Sequence, residues 1–471
     1  MLRSPVLLVA LALGALLPGF LALAQPPALG RSSLPPSATR AAEPRRSQDP
    51  PADGVDEAAD GVDEAAVRAA APEAAGEGAD GPAEEEGEDA FGVEVALEDP
   101  SGEALRAFHE ALRRAEAGEG QARILVYGAS HVAADYFVDV IRDGLRARFG
   151  DGGHGFVLPA RPWRSYRHLD VRVESNRRRW TAHRIRANDR DVQVLGLAGV
   201  AVETSSGRAW GRVDLGDDRA GRFEVQYLQR PDGGSFDVLL DGRRVRRIRT
   251  AADEEAPATA VVTAPDESHV LEVRARGDGP ITLFGVLAER ERPGVIVDTM
   301  GINGARARAH LLWDRDVHTS YLRRRDPHLV ALAYGTNESG DTDVPIEDYE
   351  AELRRVLERL EATVPRASCL LIGPSDRPMR DEDGELVDRP RTAAVAEVQR
   401  RVAADHGCAF FDLVAFGGGP LSMIRWAEAD PPFAQQDHIH FTVRGYRRLG
   451  EVLLSALLEG IDAVPLYVPE D

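Results

Sequence analysis

Hydrophobic positions fall into three regimes along the chain. From Asp99-Pro100, read as an N-cap and first helical residue, Leu105, Phe108 and Leu112 recur at helical spacing. The apolar run Ile124 to Tyr127 then predicts a buried strand, and Phe137, Ile141 and Leu145 predict the helix after it. From about Leu169 to Ala288 the period shortens to two. Val171/Val173, Val192/Val194, Phe223/Val225/Tyr227, Phe236/Val238/Leu240, Val270/Leu271/Val273 and Ile281/Leu283 alternate between turn signals such as Pro231-Asp-Gly-Gly234 and Asp241-Gly242. Long helices are not expected there, and the stretch predicts an inserted β-sandwich. The first regime then resumes. Strands are expected at Val295–Val297, Leu329–Leu332, Cys369–Ile372 and Phe410-Phe411, with helices near 305–323, 346–362 and 391–405. Strands alternating with helices predict an α/β fold with a flavodoxin-like parallel sheet and helices on both faces.

The front of the chain follows neither period. Arg3 and the apolar stretch Val6 to Ala24, closed by Ala22-Leu23-Ala24, predict a signal peptide over 1–24 and an exported protein, periplasmic or secreted. Left uncleaved, that stretch would be a membrane anchor. Residues 25–95 are dominated by Ala, Pro, Gly, Glu and Asp and contain the seven-residue repeat at 53–59 and 60–66. They cannot bury enough apolar surface to offset ordering entropy, and predict a disordered acidic linker. The expected organisation is therefore 1–24 signal peptide, 25–95 linker, 96–168 first part of the α/β domain, 169–290 inserted sandwich, and 291–471 second part.

Charge changes the picture only once it is located. The net charge is −21, and residues 49–89, with 15 acidic side chains against Arg68, account for −14 of it. Residues 161–250 run the other way, with 20 arginines against 12 acidic residues. That excess could steer an anionic glycan or pair with the acidic linker, or be simply a solvated surface. Lysine is absent, so all 57 positive charges are arginines, which excludes P-loop and Schiff-base lysine chemistry. Neither nucleic acid nor any cofactor is expected. Cys369 and Cys408 are too few for a disulfide scaffold. They read as buried thiols unless their strands are neighbours, in which case an oxidising compartment would permit one bridge.

Three short blocks carry the candidate chemistry: Tyr127-Gly128-Ala129-Ser130-His131 and Tyr334-Gly335-Thr336-Asn337-Glu338 at strand ends, and Asp437-His438-Ile439-His440 shortly before a C-terminal amphipathic helix. Ser130 closes a strand and opens a helix, where a nucleophile becomes exposed; an ordinary helix cap is the alternative. His440 is the candidate base. Asp437, three residues earlier, can hold Nδ1–H and leave Nε2 for Ser130. His438 and His440 could instead be metal ligands, but no accompanying ligand motif is present, so no metal is expected. Neither a Gly-x-Ser-x-Gly elbow nor a Gly-x-Gly-x-x-Gly motif occurs.

In block order and spacing the chain resembles the SGNH (GDSL-type) hydrolases over roughly 120–166 and 291–460. The family commonly places Asp where this chain has Ala129. The resemblance implies a catalytic Ser130, Asp437 and His440, and an oxyanion hole from Ser130, Gly304 (Gly301 the alternative) and Asn337. His131 and Trp163 are expected to bind substrate, and Trp180 and Trp210, with Trp163, are candidate sugar platforms. With a sandwich inserted after the first block, the chain further resembles bacterial peptidoglycan O-acetylesterases, which carry a carbohydrate-binding-like module. The implied function is a serine esterase removing O-acetyl groups from a cell-wall or extracellular glycan, with cell-wall association. An acetyltransferase on the same acyl-serine and a non-catalytic glycan-binding protein are the alternatives.

Overall fold

The computed structural model describes residues 91–462. The expected signal peptide (1–24) lies outside the described residues, as does the expected linker except for its last five positions. Those positions are packed: Phe91 stacks on Phe433 at 4.7 Å and Val95 lies against the core. Asp99 does not open a helix directly. Its carboxylate accepts the N–H groups of Ser101, Gly102 and Ala104, closing a turn, and the first helix, α1 (Arg106–Glu116), starts after it.

From α1 the chain enters β1 (Gln121–Gly128), one helical turn α2 (Ser130–Ala133) and α3 (Tyr136–Phe149). Eleven strands follow: β2 (Gly155–Val157), β3 (Arg172–Ser175), β4 (Thr181–Arg184), β5 (Val200–Thr204), β6 (Trp210–Asp214), β7 (Ala220–Gln229), β8 (Ser235–Leu240), β9 (Arg243–Arg249), β10 (Ala256–Glu267), β11 (Val270–Ala275) and β12 (Ile281–Glu289). The alternating pattern then returns as β13 (Gly294–Gly301), α4 (Arg315–Arg325), β14 (Leu329–Ala333), α5 (Ile346–Thr363), β15 (Ser368–Ile372), a small hairpin β16 (Met379–Arg380) and β17 (Leu386–Val387), α6 (Pro390–Asp405) and β18 (Ala409–Phe411). Two short helices, α7 (Leu413–Phe416) and α8 (Ser422–Glu428), precede α9 (Val443–Leu458).

Strands β13-β1-β14-β15-β18 form one parallel sheet in that order, the 2-1-3-4-5 flavodoxin-like order whose crevice lies beside the first strand. β1 is flanked on both sides, by β13 and β14, and its side chains divide between two cores. Ile124 and Val126 pack with α1, α3 and α9. Leu125 and Tyr127 pack on the other face with α4, α5 and α6. β15 and β18 are neighbours in a register that sets Cys369 beside Cys408, and the two form a disulfide with Cα atoms 4.6 Å apart.

The other strands build two antiparallel sheets, β10-β7-β12-β5-β4 with β2 beside β12, and β3-β6-β11-β8-β9. Phe223, Val225 and Leu283 of the first face Val213, Phe236 and Val273 of the second across one core, and Tyr227 meets Phe236 edge-on at 5.7 Å. The reverse face of the first sheet is buried too. Phe284 and Leu287 join the core beneath the parallel sheet, and the Tyr321 hydroxyl takes the Ala258 N–H at 3.1 Å. The antiparallel pairing also begins upstream of residue 169, with β2. Val192/Val194 is not a strand: Val192 is exposed, and Gln193 instead bonds the backbone of Leu312 and Asp314. β9, Arg-Arg-Val-Arg-Arg-Ile-Arg, shows no apolar alternation and was not legible from hydropathy.

Candidate active site

Position comes first from the sheet. Ser130 follows β1, residues 301–304 end and follow β13, and residues 334–337 follow β14. Because β1 lies between the other two, all three segments emerge side by side at the carboxyl edge. The approach is close. β1 and β13 end in register at Gly128 and Gly301, and a Cβ on Gly301 would sit 2.1 Å from the Ala133 nitrogen, within the helical turn that Ser130 opens. Only glycine lets the β13 end pack there.

The third block arrives from a loop. Gln435 to His438 form a turn, and His438 adopts a left-handed conformation (φ 54°), which brings the chain back on itself. One oxygen of Asp437 accepts the N–H groups of Ile439 (2.9 Å) and His440 (3.0 Å); the other lies 2.7 Å from His440 Nδ1. His440 Nε2 lies 2.8 Å from Ser130 Oγ. Burial would raise the Asp437 carboxyl, but the His440 contact and the two backbone donors outweigh it and hold it down at about 2. The pair is therefore a carboxylate facing an imidazole whose far nitrogen meets a hydroxyl. Such a chain can move the hydroxyl proton and stabilise the imidazolium that results.

Gly304 is at the third position of an Ile302–Ala305 turn, closed by the Ala305 N–H to Ile302 O bond of 3.0 Å. Its φ of 74° suits glycine there. Its carbonyl accepts Arg306 Nη1 at 2.8 Å, and Arg306 forms a fork with Asp341, fixing the orientation of the loop. Asn337 donates one amide hydrogen to Ala305 O at 2.9 Å, which leaves the second for another acceptor.

The pocket-lining role expected of His131 is not what its surroundings give. The ring is buried, Nδ1 lies 3.0 Å from the Tyr446 hydroxyl and Nε2 3.1 Å from Ser375 Oγ. Burial, with His440 beside it, pushes its pKa down to about 3, so it stays neutral behind His440 at a ring distance of 5.6 Å. Trp163 is half-buried, with the Arg184 guanidinium 4.9 Å over its ring. Arg184 donates to Asn303 O, and Asn303 bonds Ser165 Oγ, so the 163–165 segment borders the Gly304 loop.

Sequence reasoning missed two supports. Glu338, fully buried, accepts the N–H groups of Gly335 (2.9 Å) and Ala307 (2.8 Å), stapling the Asn337 loop to the Gly304 loop. Ser375 joins His131 to Thr336. Nothing in the spacing marks Glu338. Ser375 did carry a signal, since Gly373-Pro374-Ser375 ends a parallel strand just as the other blocks do. Among the described residues, His154, Asp170 and Asp218 bring possible metal-ligand atoms within 4.8 Å of one another, but Arg142 and Arg146 are paired with the same carboxylates. Cations already occupy that grouping.

Residues 272–448 match the model of the GDSL-like lipase/acylhydrolase family, so the chain carries a domain of this kind. The match contains Gly304, Asn337, Asp437 and His440; Ser130 precedes it, separated from it by β2 to β10. The fold is similar to a solved peptidoglycan O-acetylesterase at 26% identity, covering 78% of this chain and 99% of that one, with a TM-score of 0.66. A family two carbohydrate esterase from Cellvibrio japonicus is aligned at 12% identity over 60% of this chain and 99% of its own, with a TM-score of 0.25. None of the curated proteins matches the chain.

Proposed function

We propose that this chain, a serine esterase built on a GDSL-like domain, removes O-acetyl groups from a cell-wall or extracellular glycan by way of an acetyl-Ser130 intermediate. The observation that carries the reading is the unbroken Ser130–His440–Asp437 chain, at 2.8 and 2.7 Å, at the carboxyl edge of the sheet. In this mechanism Ser130 Oγ attacks the acetyl carbonyl while His440 Nε2 takes its proton. The oxyanion that forms meets the N–H groups of Ser130 and Gly304 and the free amide hydrogen of Asn337. His440 then protonates the departing sugar oxygen, and a water molecule repeats the sequence to release acetate. The Asp437 carboxylate stays ionised through both steps, because its proton leaves near pH 2.

The acetyl-glycan substrate is supported by the similar structure, which is that of a peptidoglycan O-acetylesterase. In this reading His131, held by Tyr446 and Ser375, backs the His440 ring directly, and Trp163 borders the acyl site. Export is supported by the Cys369–Cys408 disulfide, since such bridges persist in oxidising compartments. Among the described residues no helix is long and apolar enough to cross a membrane. The antiparallel strands of the expected 169–290 insert are read as the part that holds polymer.

Acetate release from O-acetylated peptidoglycan, measured beside acetylxylan and a small acetyl ester, tests the reading. Release from the peptidoglycan is expected, with Ser130→Ala lowering it about 10⁶-fold at unchanged circular dichroism. Wild-type turnover by Ser130→Ala would sink the nucleophile. Cleavage of the small ester alone, with both polymers untouched, would sink the glycan. Transfer of acetyl to a competing sugar in preference to water would make the enzyme a transferase.

A further inference from the structure

The outward face of the β3-β6-β11-β8-β9 sheet carries a built feature that the esterase mechanism does not use. Val173, Val213, Phe236, Val238 and Val273 of these strands point into the shared core, so their neighbours in sequence point out. Register then orders the outward side chains into two rows. In one, Trp210 stands opposite Arg274, Arg274 opposite Asp237, and Asp237 opposite Arg247. In the next, Arg212 stands opposite Glu272, Glu272 opposite Leu239, and Leu239 opposite Arg244. Between them lies a hollow of about 490 Å³ lined by five arginines and two carboxylates.

The carboxylates are not ligands in waiting. Asp237 and Glu272 are 9% and 6% exposed, and each is held among guanidiniums: Asp237 by Arg247 (2.7 Å) and Arg276 (3.3 Å), Glu272 by Arg212 (3.2 Å) and Arg274. The guanidiniums themselves remain about half exposed. Buried acid thus fixes a fork of arginines that keeps a net positive charge and open donors. Trp210 adds a half-buried indole with Arg212 at 5.6 Å from its ring. Of the three tryptophans read as sugar platforms, Trp180 is spent in the core, its Nε1 donating to Trp210 O, and Trp163 is covered by Arg184. Trp210 lines the hollow between the two rows.

We propose that this hollow binds a carboxylate-bearing glycan chain, with a sugar ring against Trp210 and its carboxylates on the arginine fork. Planar guanidiniums match carboxylates in a way that a diffuse positive surface does not. The indole selects a ring with an apolar face. The site would seat the polymer whose acetyl groups Ser130 removes, and so it rests on the proposed function while making a separate claim.

Full-length Ser130→Ala protein, which leaves polymer intact, is incubated with purified insoluble peptidoglycan and the bound fraction measured by sedimentation. Trp210→Ala and the double variant Arg244→Gln/Arg276→Gln are made on the same background; the latter leaves Asp237 its 2.7 Å contact with Arg247. Each is expected to weaken binding about tenfold or more, and amidation of the peptidoglycan carboxyls should do the same. In the Ser130-competent chain both variants should cleave a small acetyl ester at the parental rate. Parental binding by both variants, equal binding to amidated material, or displacement by duplex DNA at matched charge would each overturn the proposal. Acetate release from the soluble acetylated polymer reports separately on the esterase reading.

Discussion

Two places in the molecule set a histidine against aspartates, and they differ in what surrounds the pair. At the carboxyl edge of the parallel sheet, Asp437 and His440 stand on a loop, 42% and 16% exposed, with the free imidazole nitrogen on a serine hydroxyl. Beneath α3, His154 is buried within 3.4 Å of Asp218 and 3.8 Å of Asp170, and those carboxylates are also bound by Arg142 and Arg146. The first arrangement has one negative charge, a proton to move and an open side. The second has its two facing carboxylates paired with fixed guanidiniums, and the other ring nitrogen of His154 meets His168 instead of a serine hydroxyl. Under the proposed function, similar side chains therefore serve chemistry in one place and structure in the other. The structural cluster also reaches toward the site: Arg142 and Thr299 both bond Asp135, the left-handed residue that turns the chain from α2 into α3.

The largest expected effect short of losing Ser130 is on the open pair. Asp437→Asn keeps the shape but loses the charge that fixes the His440 tautomer, and kcat should fall by about 10⁴ while the melting temperature scarcely moves. A fall in stability with little change in kcat would make the pair structural, and the contrast would fail. For the closed cluster the signs reverse. Arg142 is fully buried between Asp135, Asp139 and Asp170, so Arg142→Met leaves uncompensated charge and should cost about 3–5 kcal/mol in urea unfolding. Stability unchanged within experimental error would show that the cluster is not load-sharing in the fold.

Asn337→Ala sharpens the same contrast at the edge of the open site. One amide hydrogen is committed to Ala305, so its loss costs a loop contact as well as the oxyanion donor of the proposed mechanism. The donor dominates, and kcat should drop about 10²–10³-fold. A change in KM alone would place Asn337 in ground-state binding.

Why the open pair was legible and the closed one was not follows from their construction. Ser130, Asn337, Asp437 and His440 sit in short blocks at strand ends or on a tight turn, where local order and spacing survive in sequence. The sheet that gathers them was equally readable, since its strands are apolar runs between helical periods. The closed cluster is assembled from α3, the loops on either side of β2, and a turn near Asp218, with no shared spacing. His131 was misread for a related reason: adjacency to Ser130 suggests a pocket, whereas the helical turn aims the ring inward at Tyr446 and Ser375. The arginine hollow was visible only as local positive charge, because the pairing that arranges Trp210 beside Arg274 belongs to strand register.

The smallest expected effect is the pH dependence of the closed cluster. Burial lowers the pKa of His154, but the contacts with Asp170 and Asp218 outweigh burial and raise it above the ordinary value. A group whose folded pKa is raised contributes fully below its unfolded pKa, about 6.5, and loses that contribution as pH rises through the folded value. Buried neutral histidines act in the opposite direction. His131 and His168, pushed down to about 3 chiefly by burial, favour folding less as pH falls below about 6.5. The comparison that isolates His154 is therefore parent against His154→Asn from pH 6 to 9. The melting temperature of the parent should decline over that range relative to the variant, whose neutral amide does not titrate. The difference should shrink in a background of Asp218→Asn, because half of the facing negative charge is then removed. If the two proteins keep a constant offset across the range, His154 does not carry the proton, and the cluster is held by Arg142 and Arg146 alone.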